Sequence, residues 1–113
     1  MESRATSRYN RQSARKIRKV LNEVRGFKVG NAINYLHFSS EKAAVVIEKT
    51  IRSAVANLMQ AEGGKDIDPD LIQIKEAYVN QGPVMKRFRA ASMGRASRLR
   101  RPTSHLTIIL TTE

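Results

Sequence analysis

The sequence predicts an α+β fold: three helices packed on a small antiparallel sheet, with a long protruding β-hairpin. Three observations lead there. Apolar residues recur at helical spacing along residues 14–24 and 44–58, and more briefly near 32–36. Two β-rich segments, "LIQIKEAYVNQ" (71–81) and "HLTIILTT" (105–112), lie well apart in the chain. Between them runs "GPVMKRFRAASMGRASRLRRPTSH" (82–105), which holds seven Lys or Arg and no Asp or Glu.

The elements follow in order. "ATSRYN" (5–10) reads as a short strand with weak alternation. Ser13 is a cap for a helix that runs to about Arg25, where Gly26 stops it. Ala14, Ile17, Val20, Leu21 and Val24 share one face of that helix, and Arg15, Lys16, Arg18 and Lys19 fall outside the apolar stripe. Residues 29–38 fit a second helix with Ala32, Ile33 and Leu36 inward. Ser39 or Ser40 then caps a long third helix, with Glu41 favourably near its positive end. Its positions Ala44, Ile47, Ile51, Ala54, Val55 and Leu58 follow the i, i+3, i+4, i+7 rule, and Gly63 and Gly64 end it. "DIDPD" (66–70) is turn chemistry. In the next segment Ile72 and Ile74 share one face while Ala77 and Val79 share the other. That change of phase predicts a bulge near Lys75 and Glu76. The last segment sets Leu106, Ile108 and Leu110 against Thr107, Ile109 and Thr111.

With 113 residues the chain is expected to be a single domain. Its globular part is about 5–80 with 103–112, and its arm about 81–102. If the two β-rich segments pair, the connection between them is too long to lie over the core. From Leu71 to Ser92, one side of the hairpin, 22 extended residues span roughly 70 Å at about 3.3 Å each, while a domain of this size is on the order of 35 Å across. Much of the hairpin therefore cannot lie over the core: either it protrudes as a two-stranded arm or it is a disordered loop, and an isolated ribbon is marginal in water unless something else holds it.

Charge says what holds it. The net charge is +11, and it is segregated. Residues 1–28 carry nine basic and two acidic side chains, residues 29–81 five and seven, residues 82–112 seven and none. Cationic ends on a near-neutral middle point to a polyanion. No apolar run reaches the length of a membrane span and no signal-like segment follows Met1, so a membrane anchor is not expected. Without Cys there is no disulfide or thiolate metal site, which fits a cytosolic or organelle-interior protein. Lys86, Arg87, Arg89, Arg95, Arg98, Arg100 and Arg101 supply donors that suit phosphate oxygens. Met85, Phe88, Met93 and Leu99 between them can stack on a base or ribose. Small residues, Ala90, Ala91, Ser92, Ala96 and Ser97, keep the tip slim, and Gly94 gives it backbone freedom. Arg8, Arg11, Arg15, Lys16, Arg18 and Lys19 form a second candidate contact surface on the body. Folded RNA offers clefts into which such an arm threads, and favours RNA over DNA as the partner. The alternative is a DNA-binding architectural protein with β-arms, which is expected to be a dimer that bends duplex DNA. An RNA-processing enzyme is a third reading, and the cationic regions lack the convergent acids or histidines it needs.

Other features read as structure. His37 and His105 lie far apart with no ligand cluster. His105, at the arm's base, is expected to make a hydrogen bond or an RNA contact. "GGK" (63–65) lacks phosphate-loop spacing, and Asp66, Asp68 and Asp70 lack the Gly and terminal Glu of a calcium loop. No cofactor and no metal are expected. Tyr9 and Tyr35 suit either base stacking or core or rim packing.

The strings "SARKIRKVLNEVRG", "SSEKAA" and "SAVAN", followed by "AYVNQGPVMKRFRAASMGRASRLRRPTSHLTIIL", resemble the bacterial-type large ribosomal subunit protein twenty-two family. The resemblance runs from about Ala5 to Leu110, and "GP-x-MKRFR", "MGRA" and "TSH" in that order are its specific pieces. It implies a structural, non-enzymatic protein of the cytoplasmic or an organelle ribosome, binding large-subunit rRNA and aiding assembly. It also implies a hairpin reaching inward to line the nascent-peptide exit tunnel, opposite the extended loop of a neighbouring ribosomal protein. Ala90, Ala91, Ser92, Met93, Gly94, Arg95 and Ala96 would then form a tunnel-facing tip beside the nascent peptide. The implied partners are rRNA, neighbouring ribosomal proteins and the nascent chain, with no homo-oligomer. The chain departs from the family pattern at Ala14, where a Pro usually follows the capping Ser. It departs again at Ala90–Ala91, in place of Pro-Arg, and at Pro102, in place of a basic residue.

Overall fold

The computed structural model describes residues 2–60, 71–90 and 96–112; for residues 85, 87–90 and 96–100 the backbone alone is described. Along the chain come β1 (Glu2–Asn10), α1 (Ala14–Val24), α2 (Val29–His37), α3 (Lys42–Gln60), β2 (Gln73–Gln81), β3 (Met85–Ala90), β4 (Ala96–Arg101) and β5 (Ser104–Thr111). The expected α+β architecture is present, with a three-stranded antiparallel sheet in the order β1-β5-β2 and a separate two-stranded ribbon of β3 and β4.

α1 forms where its cap and stripe place it. The Ser13 hydroxyl accepts from the Lys16 backbone N–H at 3.3 Å, satisfying a donor the helix itself cannot. Ala14, Ile17, Val20, Leu21 and Val24 are all buried. Gly26, at φ +82°, takes the left-handed turn beyond the last helical residue. α2 has no side-chain cap. Instead the Val29 N–H donates to the Ile72 carbonyl at 3.0 Å, so the start of α2 is tied to the chain entering β2. α3 begins at Lys42. The Ser39 hydroxyl accepts from the Glu41 backbone N–H, just upstream of the helix. Its apolar stripe is buried as expected, with Val55 half-buried at its rim and Thr50 included, whose hydroxyl donates to the Val46 carbonyl at 2.8 Å. The expected stop at Gly63–Gly64 and the 66–70 turn lie outside the described residues.

The sheet turns one face to the helices. Leu106, Ile108 and Leu110 of the central strand β5 are fully buried, opposite Ser7, Ala5 and Ser3 on one side and Val79, Ala77 and Ile74 on the other. Each such aliphatic side chain contributes about 1.5–3 kcal/mol on burial. The register of β2 against β5 shifts between Ile74 and Glu76, so the change of apolar phase is a bulge at Lys75. β1 is longer than the 5–10 segment expected. It is an edge strand, and two bonds hold it to α3: the Ser3 hydroxyl donates to the Ala54 carbonyl at 2.8 Å, and the Asn57 amide to the Arg4 carbonyl at 3.0 Å.

The arm stands off this body. The molecule extends 65 × 26 × 16 Å with a radius of gyration of 17.2 Å. A compact domain of this length has one near 13 Å. The ladder is interrupted at the arm's root. β2 and β5 pair out to Gln81 and Ser104, and β3 and β4 begin at Met85 and Arg101. Pro83 and Pro102, which lack N–H donors, stand in the gap.

Candidate nucleic-acid interface

The arm's root is closely built. The Gly82 N–H donates to the Thr103 carbonyl at 2.8 Å, and the Thr103 hydroxyl donates back to the Pro83 carbonyl. Thr103 and Ser104 are buried. A Cβ on Gly82 would lie 2.6 Å from the Thr103 hydroxyl oxygen and 3.1 Å from His105 Nε2, so the side chain is missing for want of space. His105 accepts from the Tyr9 backbone N–H through Nδ1 at 3.0 Å, and the two rings meet edge-on, centroids 4.8 Å apart. The hydrogen bond expected of His105 is thus made to protein. It ties β1 to the strand that leaves the arm, and in the neutral ring it leaves the proton on Nε2.

Beyond the root, Lys86 stands opposite Arg100, Arg87 opposite Leu99, Phe88 opposite Arg98, and Arg89 opposite Ser97. A cation facing a cation across a ladder destabilises it, and residues 82–112 hold no carboxylate to offset the repulsion. Phosphate oxygens suit such a row of donors. Lys86 and Arg101 are exposed. Of the expected tip, Ala90 and Ala96 pair as the last rung of the ladder; Ala91, Ser92, Met93, Gly94 and Arg95 lie outside the described residues.

The second cationic surface lies on the body. Arg8, Arg11, Arg15, Lys16, Arg18 and Lys19 are all exposed. Arg18 has a structural role as well: one guanidinium nitrogen donates to the Val79 carbonyl at 3.0 Å, linking α1 to β2. Among the described residues, none of these six pairs with a carboxylate. Ion pairs join Glu48 to Arg52 and Glu2 to Lys75, and His37 Nδ1 lies 3.5 Å from Glu48. The Lys75 ammonium holds the Glu2 carboxyl beside it below its ordinary range.

A different surface lies at the α2–α3 corner. Tyr35 and Phe38 are exposed there beside Glu23 and Glu41. The Tyr35 hydroxyl donates to Glu23 at 2.6 Å, and that bond raises its pKa. Tyr35 therefore makes a local rim contact.

Sequence reasoning did not find the presentation of Tyr9. The β1–β5 register shifts between Ser7 and Asn10, and Tyr9 lies in that irregularity with φ +56°. No pattern of residue types announces it. The only local signal is Asn10, whose side chain closes the turn on Ser7.

The model of the family described as ribosomal protein L22p/L17e matches residues 5–111. The chain belongs to that family. Proteins named large ribosomal subunit protein uL22 match it over nearly its whole length. The one from Syntrophotalea carbinolica is 48% identical over 110 residues, covering 97% of each chain. That from Desulfatibacillum aliphaticivorans is 48% identical over 111 residues, covering 97% of this chain and 98% of its own. That from Magnetococcus marinus is 45% identical over 107 residues, covering 95% and 92%. The DNA-architectural alternative gains no support from this family or from these relatives. Among the described residues, no helix is long and apolar enough to cross a membrane, and no three His, Asp or Glu gather as metal ligands.

Proposed function

We infer that the chain is a structural, non-enzymatic constituent of the large subunit of the cytoplasmic ribosome, where it binds rRNA and serves translation. The observation that carries the mechanism is the ribbon of β3 and β4, with Lys86 opposite Arg100 and no carboxylate along residues 82–112. Held by phosphates on both sides, such a ribbon exchanges internal repulsion for charge-assisted hydrogen bonds.

The finer reading follows from that. The whole chain is one rRNA-binding domain, with a body at about 5–80 and 103–112 and an arm at about 81–102. Arg8, Arg11, Arg15, Lys16, Arg18 and Lys19 anchor the body. Lys86, Arg87, Arg89, Arg95, Arg98, Arg100 and Arg101 anchor the arm. Residues 90–96 face the exit tunnel and the nascent peptide, opposite a neighbouring ribosomal protein. A second protein neighbour with a basic segment suits the α2–α3 corner, where Phe38 is 85% exposed beside Glu23 and Glu41. Aromatic faces and carboxylates there attract cations.

The test is the replacement of Arg87, Arg89, Arg98 and Arg100 together by Ala, with binding to large-subunit rRNA measured across a salt series. Affinity should fall, and the slope of log K against log salt should flatten by about 3, at roughly 0.7 for each phosphate no longer neutralised. An unchanged slope would show that the arm does not carry the phosphate contacts.

A further inference from the structure

We propose that Tyr9 is a stacking platform for an unpaired base of the rRNA at the root of the arm; this rests on the rRNA-binding reading above. Tyr9 is 65% exposed. It is the one non-glycine residue with positive φ among those described, a conformation in which an aromatic side chain is strained. Three contacts hold it there. The Ser7 hydroxyl donates to Asn10 Oδ1 at 2.7 Å, and the Asn10 amide donates to the Ser7 carbonyl at 3.1 Å, closing the irregularity around Arg8 and Tyr9. The third is the Tyr9 N–H bond to His105 Nδ1.

The backbone bond to His105 accounts for the position of the Tyr9 N–H, but it does not require an aromatic side chain there. The ring is largely exposed, and among the described residues its one aromatic contact is the edge-on meeting with His105. A strand irregularity re-aims a side chain, and strain that persists in a fold points to use. Exposed cations, Arg8 and Arg11, flank the ring in sequence, and the root of the cationic arm adjoins it through His105. An aromatic face among phosphate-binding cations is the arrangement that receives a splayed base. Duplex RNA presents no such base, so the ligand is a nucleotide of a loop, bulge or junction.

The chain has no Trp, so Tyr9→Trp introduces a single fluorescent reporter where the base is expected. The full-length variant is titrated with large-subunit rRNA transcribed in vitro, with Tyr35→Trp as the control. Stacking quenches the indole emission of the Tyr9→Trp variant as the complex forms and leaves that of the Tyr35→Trp variant unchanged. In parallel, Tyr9→Phe should bind as the parent does, while Tyr9→Leu, apolar but without a π face, should bind about tenfold more weakly with the same salt slope. Complex formation without quenching at position 9, or equal affinities for the Phe and Leu variants, overturns the proposal and leaves the rRNA-binding reading intact. Absence of any complex contradicts that reading itself.

Discussion

Replacing Gly82 by Ala tests the geometry of the arm's root. The added methyl would sit 2.6 Å from the Thr103 hydroxyl oxygen. Thr103 is poorly placed to yield. It is 4% exposed, its hydroxyl is bonded to the Pro83 carbonyl, and its own carbonyl holds the Gly82 N–H. Its β-branched side chain is also stiff about χ1. Overpacking of this kind costs about 1–3 kcal/mol. Ala at a permitted backbone conformation returns about 0.4–1 kcal/mol by restricting the unfolded chain. The clash wins, with a net loss on the order of 1–2 kcal/mol. For a domain of this size each kcal/mol lowers Tm by about 4 °C. Thermal melts of Gly82→Ala, Thr103→Ala and the double variant form a cycle. Thr103→Ala alone is destabilising, since the Pro83 carbonyl loses its donor, by about 1 kcal/mol. The double variant should melt above the additive expectation, because the obstructing oxygen has gone. A Gly82→Ala chain that melts with the parent, or strictly additive losses, would refute a sterically closed root.

Two further predictions concern pH. The Tyr35 pKa is raised above 10.0, first by its hydrogen bond to Glu23, so that bond stabilises the fold fully below the unfolded value and is lost as pH rises through the folded one. Tyr35→Phe should therefore flatten the alkaline limb of a Tm–pH profile. The Glu2 pKa is lowered from 4.5, chiefly by its hydrogen bond to Lys75, so its contribution is present above the unfolded value and is lost as pH falls through the folded one. Glu2→Gln should flatten the acid limb, checked in the same series of melts.

The helices were legible because two independent signals coincide in them. In α1 the capping Ser13, the five-residue stripe and Gly26 all agree with the observed ends. The bulge at Lys75 was legible for a similar reason, since a period-two pattern cannot change phase without an extra residue. β1 was less so. As an edge strand it faces the helices only through Ser3, Ala5 and Ser7, and Ala5 is the sole apolar side chain among them. The arm was legible from charge and length together, but its interruption at residues 82–84 and 102–103 was only hinted at by Pro102. The Tyr9–His105 contact joins residues 96 apart in sequence, and no local pattern carries such a pairing.

Lysine footprinting tests most directly whether the two cationic segments are the surfaces held by rRNA. An amine-reactive reagent is applied to the free chain and to the chain assembled in large subunits, and modification is read by mass spectrometry. Lys16, Lys19 and Lys86 are exposed in the chain alone. All three should lose most of their reactivity on assembly. If they react in the subunit as they do in the free chain, the phosphates lie elsewhere and the account fails.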